Sequence, residues 1–118
     1  MTEAEIKALL EKQRDFYKSG ATLDIKFRIG QLKKLYSCIE KYENEISLAL
    51  KADLGKSNFE GFMCEIGMAL SEISYMIRHT KRFAKRKAVK TPLAQFASKS
   101  YRQPIPYGNT LIMSPWHC

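Results

Sequence analysis

Apolar side chains recur at intervals of three and four residues from Ile6 to Phe83, and this spacing constrains the fold more than any other feature of the chain. Residues three or four apart lie on one face of an α-helix, so the spacing predicts amphipathic helices. Three helices are predicted, over residues 2–19, 24–53 and 57–85. Two of them are long.

Local start and stop signals bound these helices. Two starts show a Ser or Thr followed three residues later by Glu, the spacing of a capping box, and two stops are glycines. The starts are Thr2 with Glu5 and Ser57 with Glu60, and the stops are Gly20 and Gly55. The predicted boundaries therefore have a physical basis beyond the apolar spacing.

The helical spacing stops at Pro92, and the chain changes character there. Residues 91–97 are predicted as a connector, residues 98–103 as a polar strand, residues 104–109 as a turn and residues 110–113 as a short apolar strand. A continuous apolar strand needs cover on both faces, as in a parallel sheet. The sequence offers no further strand for such a sheet, so the predicted fold is incomplete. Its class is mostly α, with three helices followed by two short strands.

Composition describes an ordinary globular chain of one-domain size, with 118 residues, 45% hydrophobic and 27% charged. The longest apolar run is shorter than the roughly 18 residues of a spanning helix, and the acidic N-terminus lacks the basic start of a signal peptide. No membrane span and a cytoplasmic location are therefore expected. Three cysteines without metal-ligand spacing predict neither a disulfide framework nor a metal site. Cys38 and Cys64 are expected to pack on apolar helix faces.

Short motifs succeed one another along the chain in a fixed order. They are RIGQLKKL at residues 28–35, ALKADLGK at 49–56, Glu65-Ile66-Gly67 with Glu72-Ile73, KTPL at 90–93, QPIPYG at 103–108 and GNTLIMSPW at 108–116. In this order they resemble the aldehyde dehydrogenase superfamily, and in particular its fatty-aldehyde-type (class three) members. The last motif resembles the family's Gly-x-x-Leu-Ile-x-x-Pro-Trp-Asn segment.

This resemblance implies that the chain is an N-terminal fragment of an α/β enzyme with a Rossmann-like coenzyme domain. Residues 1–90 are then the N-terminal helical part of that domain, and residues 91–97 are a connector. Residues 98–118 are the start of a bridging strand and a truncated first strand of the coenzyme domain.

The activity implied for the parent enzyme is oxidation of an aldehyde to a carboxylic acid with NAD or NADP. In the family a cysteine thiolate attacks the aldehyde to form a thiohemiacetal, hydride passes to the coenzyme, and water releases the acid. The family's catalytic Cys, its Glu base and its glycine-rich coenzyme segment have no counterpart in this sequence. The 118 residues alone are therefore expected to be inactive and to bind no coenzyme. The expected partners are an aldehyde in the parent enzyme and further copies of the chain, as a homo-oligomer or through exposed apolar surface.

The same resemblance assigns site residues near the end of the sequence. The positions at which the family's main chain contacts the nicotinamide ribose are Met113, Ser114, Pro115 and Trp116. His117 stands where the family has the Asn whose amide holds the developing oxyanion. Cys118 replaces a residue expected to be aromatic. We attribute this pair of departures to a frameshift or gene-model break rather than to tuned chemistry.

Charge supports an alternative function. Seven cations between Arg78 and Lys90 account for seven of the net charge of +8, and their spacing gathers them along the end of the third helix. Such a stripe is typical of a small basic interaction or nucleic-acid-binding module, or of contact with an anionic membrane surface. Cations are also favoured at a helix C-terminus, however, and no known nucleic-acid motif is present. A solvated helix end without a specific nucleic acid is therefore preferred, and a standalone helical scaffold is the third alternative.

Overall fold

The computed structural model describes residues 2–113, which divide into two compact units. One unit is formed by residues 25–83, and the other by residues 2–24 together with residues 84–113. The predicted class is confirmed, since most of the described residues are helical and two short strands are present.

The unit formed by residues 2–24 and 84–113 begins with helix α1, Glu3–Lys18. Its start is the predicted capping box: the Thr2 hydroxyl accepts from the Glu5 amide at 3.3 Å, and a Glu5 carboxylate oxygen accepts from the Thr2 amide at 2.7 Å. The helix ends before Gly20, which has a φ of +78° that disfavours other residues. A 3₁₀ turn, Ala21–Leu23, follows.

The second predicted helix is two helices, α2 (Ile25–Lys41) and α3 (Glu43–Leu54). They meet at Tyr42, whose φ of −102° and ψ of 17° depart from helical values. Backbone hydrogen bonds continue across the break, because the Tyr42 amide donates to the Cys38 carbonyl and the Tyr42 carbonyl accepts from Ile46. The single long helix predicted here is therefore wrong in detail. The predicted end is confirmed, since Gly55 has a φ of +68°.

The third predicted helix begins as expected, with the Ser57 hydroxyl accepting from the Glu60 amide at 3.2 Å. It contains an irregularity that the apolar spacing did not indicate. Helix α4 (Asn58–Gly61) passes into a π-helical turn (Phe62–Ile66), and the chain then continues as helix α5 (Gly67–Phe83). Helix α5 ends two residues before the predicted boundary.

Packing within residues 25–83 is centred on α5, against which α2 lies, while α3 packs on α4. Ile66 and Leu70 are the buried apolar side chains among the described residues, and Thr80 on the same helix as Leu70 is also buried. The Thr80 hydroxyl is satisfied by the Met76 carbonyl at 2.6 Å. This core is small for the number of apolar residues that the helices carry.

Beyond α5, the chain forms a β-hairpin of strands β1 (Lys87–Val89) and β2 (Ser100–Arg102). The strands are antiparallel, with Ala88 opposite Tyr101. The second strand lies within the polar strand predicted for residues 98–103, whereas β1 was not predicted. The connector between them contains a 3₁₀ turn, Leu93–Gln95.

The apolar strand predicted for residues 110–113 is wrong for this structure. These residues are not in a strand, and Leu111, Ile112 and Met113 are each more than 80% exposed. A strand needs a neighbour for its backbone hydrogen bonds and cover for its side chains. The described residues provide neither for this segment.

Candidate functional site

Met113 is the member of the predicted coenzyme site that the structure describes. Its side chain is 84% exposed, and the residue belongs to neither a helix nor a strand. The other predicted site residues, Ser114, Pro115, Trp116 and His117, lie outside the described residues. The structure thus shows the approach to the predicted site rather than the assembled site.

Helix α1 makes hydrogen bonds with the segment that leads to Met113. The Tyr17 hydroxyl donates to the Pro106 carbonyl at 3.2 Å, and the Asn109 side-chain amide donates to the Leu10 carbonyl at 3.3 Å. Between these two contacts lies Gly108, with a φ of +99° that turns the chain. The segment leading to Met113 is therefore anchored at two points along α1.

An open groove of about 400 Å³ lies where this segment meets α1. Its lining residues are Lys12, Gln13, Phe16, Tyr17, Thr22, Gly108, Asn109 and Thr110. The lining is mainly apolar and contains no thiol, carboxylate or imidazole. The groove therefore does not contain the cysteine nucleophile that the resemblance implies for the parent enzyme, and Lys12 and Tyr17 are its amine and phenol groups.

The two described cysteines do not lie where they were predicted. Cys38 and Cys64 are both free and exposed rather than packed in a core. On α2 the less exposed side chains include Tyr36 and Ile39. Cys38 lies next to these positions on the helix but faces solvent. Cys64 lies in the π-helical turn, where Ile66 rather than Cys64 points into the core.

Three of the basic residues in the Arg78–Lys90 run contact neighbouring side chains. The Arg78 guanidinium donates to the Ser74 hydroxyl at 3.0 Å, and the Arg82 guanidinium lies 5.4 Å from the Phe83 ring centroid. Arg86 lies 4.1 Å from the ring centroid of Tyr101. These contacts favour local cation–π and helix-surface roles for the three arginines.

A partly buried ion pair was missed from the sequence. The Lys56 side chain is 7% exposed, and its ammonium lies 2.5 Å from a Glu65 carboxylate oxygen. Both residues belong to motifs that were recognised separately, but nothing in the sequence indicated that they meet. The pair fixes the turn after α3 to the π-helical turn.

Comparison with known proteins decides the family. The model of the aldehyde dehydrogenase family matches residues 1–118, the whole chain. The chain belongs to the aldehyde dehydrogenase family. The motifs at residues 28–35, 49–56 and 108–116 thus resembled the correct family.

Individual aldehyde dehydrogenases align with most of the chain. It is 43% identical over 102 residues to 4,4'-diaponeurosporen-aldehyde dehydrogenase of Staphylococcus aureus, covering 86% of this chain and 22% of that protein. It is 30% identical over 108 residues to aldehyde dehydrogenase family 3 member A2 of Rattus norvegicus, covering 92% and 22%. The solved structure of substrate-bound Staphylococcus aureus AldH is similar with a TM-score of 0.79 and 40% identity, covering 91% and 23%. The chain thus spans less than a quarter of the length of these relatives.

Aldehyde dehydrogenases generally use NAD or NADP. Among the described residues, Met113 of the predicted coenzyme site is exposed, and the groove along α1 is open and mainly apolar. Over residues 2–113 there is also no group of three or more His, Cys, Asp or Glu side chains that could hold a metal ion. In the same range, none of the helices combines the length and apolar character needed to cross a membrane.

Proposed function

We propose that this chain is the N-terminal part of the coenzyme domain of an NAD(P)-dependent aldehyde dehydrogenase that oxidises an aldehyde to a carboxylic acid. The observation that carries the proposal is the family match over residues 1–118. The ordered series of motifs, ending in Leu-Ile-x-x-Pro-Trp, supports it from the sequence.

The exposed apolar faces support a role as part of a larger folded body. On α1, Ile6, Leu9 and Phe16 are between 44% and 51% exposed, and Leu111 and Ile112 are more exposed still. Large exposed apolar patches mark surfaces that contact other protein, a membrane or a ligand. We expect the remainder of an aldehyde dehydrogenase to cover them.

Within that larger protein, the main chain of residues 113–116 would line the coenzyme site, and His117 would occupy the position of the family's oxyanion-binding Asn. The two anchors on α1, through Tyr17 and Asn109, support this because they fix the chain just before Met113. The coenzyme would accept the hydride, while the nucleophile and base would come from the rest of the enzyme. The 118 residues alone are therefore expected to have no dehydrogenase activity.

A chimera tests this proposal. Residues 1–118 replace the matching segment of the Staphylococcus aureus AldH structure, to which they are 40% identical. We expect the purified chimera to form NADH or NADPH from an aldehyde, with 4,4'-diaponeurosporen-aldehyde as the first substrate to test because a relative with 43% identity is named for it. The 118-residue chain, assayed alone at the same concentration, should form none.

Two controls make the result interpretable. A chimera in which the recipient's catalytic Cys is replaced by Ser should be folded but inactive. A chimera that carries the α2 to α5 region of this chain, residues 25–83, and keeps the recipient's own remaining sequence separates misfolding from a defect near His117. A folded full chimera that binds neither coenzyme nor aldehyde would contradict the proposed function, as would NADH production by the 118 residues alone.

A further inference from the structure

The segment between strand β2 and Met113 is stiff in its first half. Pro104 and Pro106 each fix their own φ at about −65°, and each holds the preceding residue away from helical values. Strand β2 ends at Arg102, directly before this segment. Residues 103–106 therefore form a short, inflexible connection from the strand to the point where the chain meets α1.

Two hydrogen bonds join the next part of the segment to α1. The Pro106 carbonyl accepts from the Tyr17 hydroxyl at 3.2 Å, and the Asn109 side-chain amide donates to the Leu10 carbonyl at 3.3 Å. Leu10 and Tyr17 lie about two helical turns apart on α1, so the segment runs back along the helix. Two separated contacts fix the direction of the chain as well as its position.

These contacts lie close to the predicted coenzyme site. Both are formed within the unit of residues 2–24 and 84–113, and Tyr17 is half-buried where it meets Pro106. Met113 follows Asn109 by four residues, a distance that extended chain covers in about 14 Å. A shift of the chain at Asn109 is therefore carried over a short span to the residues that the resemblance assigns to the coenzyme.

We propose that Tyr17 and Asn109 are positioning residues for the coenzyme: they hold the segment so that the main chain from Met113 onward is arranged before NAD or NADP binds. This inference rests on the proposed function, in which the main chain of residues 113–116 lines the coenzyme site. Neither side chain needs to touch the coenzyme. When the binding-competent conformation is only partly populated, affinity falls by that fraction, and an ordered segment removes this loss.

Coenzyme binding and turnover should respond differently to the loss of either hydrogen bond. In the free enzyme the arranged segment becomes less populated, so the Kd and the KM for the coenzyme rise. Bound coenzyme orders the segment again, so kcat at saturating coenzyme should change by less than about twofold. A general loss of stability would instead lower the amount of active enzyme and leave the Kd for the coenzyme as it was.

The chimera with Staphylococcus aureus AldH allows this comparison. The Kd for NADH or NADPH is measured by fluorescence titration, and the KM for the oxidised coenzyme and kcat are measured with the aldehyde. Asn109→Ala should raise the Kd and this KM about three- to tenfold, the effect expected when one hydrogen bond is lost. Tyr17→Phe keeps the ring and removes only the hydroxyl, and it should raise both about two- to fivefold.

Matched controls make the same chemical changes within residues 25–83. Tyr36→Phe removes the hydroxyl of a half-buried tyrosine on α2, and Asn44→Ala shortens an exposed asparagine on α3. Ser57→Ala, which removes a helix cap, controls for a loss of stability. None of the three should change the Kd for the coenzyme.

Chymotrypsin measures the anchoring directly on the 118-residue chain, without the recipient enzyme. Tyr107 is an exposed cleavage site between the two hydrogen bonds. Cleavage within a folded protein follows the population of the locally opened chain. Tyr17→Phe and Asn109→Ala should therefore speed cleavage after Tyr107 about two- to tenfold, whereas Tyr36→Phe and Asn44→Ala should leave its rate unchanged.

The outcomes separate this inference from the proposed function. A folded, unsubstituted chimera that binds no coenzyme would contradict the proposed function and this inference with it. If that chimera binds coenzyme and both Tyr17→Phe and Asn109→Ala leave the Kd unchanged, the inference alone is overturned. Unchanged cleavage after Tyr107 in both variants would also overturn it, because the two hydrogen bonds would then not hold the segment.

Discussion

Lys56 and Glu65 form an ion pair across nine residues, with 2.5 Å between the ammonium nitrogen and the nearer carboxylate oxygen. The two ends of the pair differ in environment: the Lys56 side chain is 7% exposed, whereas Glu65 is 37% exposed. Because Glu65 belongs to the π-helical turn Phe62–Ile66 and Lys56 precedes α4, the pair ties the two ends of a short irregular segment together.

Replacing Lys56 with Met should therefore destabilise the chain. We expect the free energy of unfolding to fall by about 1–2 kcal/mol, less than for a fully buried pair because Glu65 remains partly solvated. The measurement is urea unfolding followed by circular dichroism. Lys7→Met is the control, since the Lys7–Glu3 pair has the same kind of charges but side chains that are 73% and 82% exposed. It should change stability by about 0.5 kcal/mol or less, and equal effects of the two variants would contradict the role given to the Lys56–Glu65 pair.

Gly67 permits the π-helical turn. Its amide donates to the Phe62 carbonyl, and a Cβ at this position would lie 2.9 Å from the same carbonyl oxygen and 3.3 Å from a ring carbon of Phe62. Gly67→Ala should therefore destabilise the chain by about 1–3 kcal/mol, despite the higher helix propensity of Ala.

The matched control for Gly67→Ala is Gly30→Ala in α2. A Cβ at Gly30 meets nothing within 4 Å, so Ala should stabilise the helix by about 0.5–1 kcal/mol. The two substitutions are chemically identical and are expected to have opposite signs in the same urea experiment. If Gly67→Ala also stabilised the chain, the π-helical turn would not depend on the missing side chain.

Ser57 begins the helical segment after the turn, and its hydroxyl accepts from the Glu60 amide. Ser57→Ala should lower the free energy of unfolding by about 1 kcal/mol, because a helix amide loses its partner. Ser71→Ala, at an exposed position inside α5, should instead be neutral or slightly stabilising. Thermal unfolding of both variants compares them directly. A fall in Tm for Ser71→Ala as large as that for Ser57→Ala would contradict the stabilising role of the Ser57 cap.

The helix starts and stops could be predicted because each depends on a local residue. The Thr2 cap, the Ser57 cap and the turns at Gly20 and Gly55 all lie where the sequence indicated. The break at Tyr42 could not be predicted in this way, since the apolar spacing of Ile39, Tyr42 and Ile46 continues through it unchanged.

Features that depend on distant contacts were harder to predict. Strand β1 has three residues, Lys87–Val89, and it exists because Ser100–Arg102 pairs with it. The apolar run at residues 110–113 indicated a buried strand, but burial is a property of the surrounding protein as well as of the run. The predicted site at Met113 to Trp116 came from a motif, and no local rule indicated the Tyr17 and Asn109 contacts that lead to it.

The chimera with Staphylococcus aureus AldH also tests the proposal that His117 stands at the oxyanion position. An amide donates a hydrogen bond to a developing oxyanion with a reach and angle that an imidazole does not reproduce, and one such donor accounts for about 10²–10³ in turnover. His117→Asn should therefore raise kcat of the chimera by up to about that factor, with a smaller change in KM. The control is Cys118→Phe, which restores the aromatic type expected at the next position without adding a hydrogen-bond donor. It should raise kcat far less than His117→Asn. A chimera whose kcat falls on His117→Asn would instead indicate that His117 contributes to the reaction as it stands.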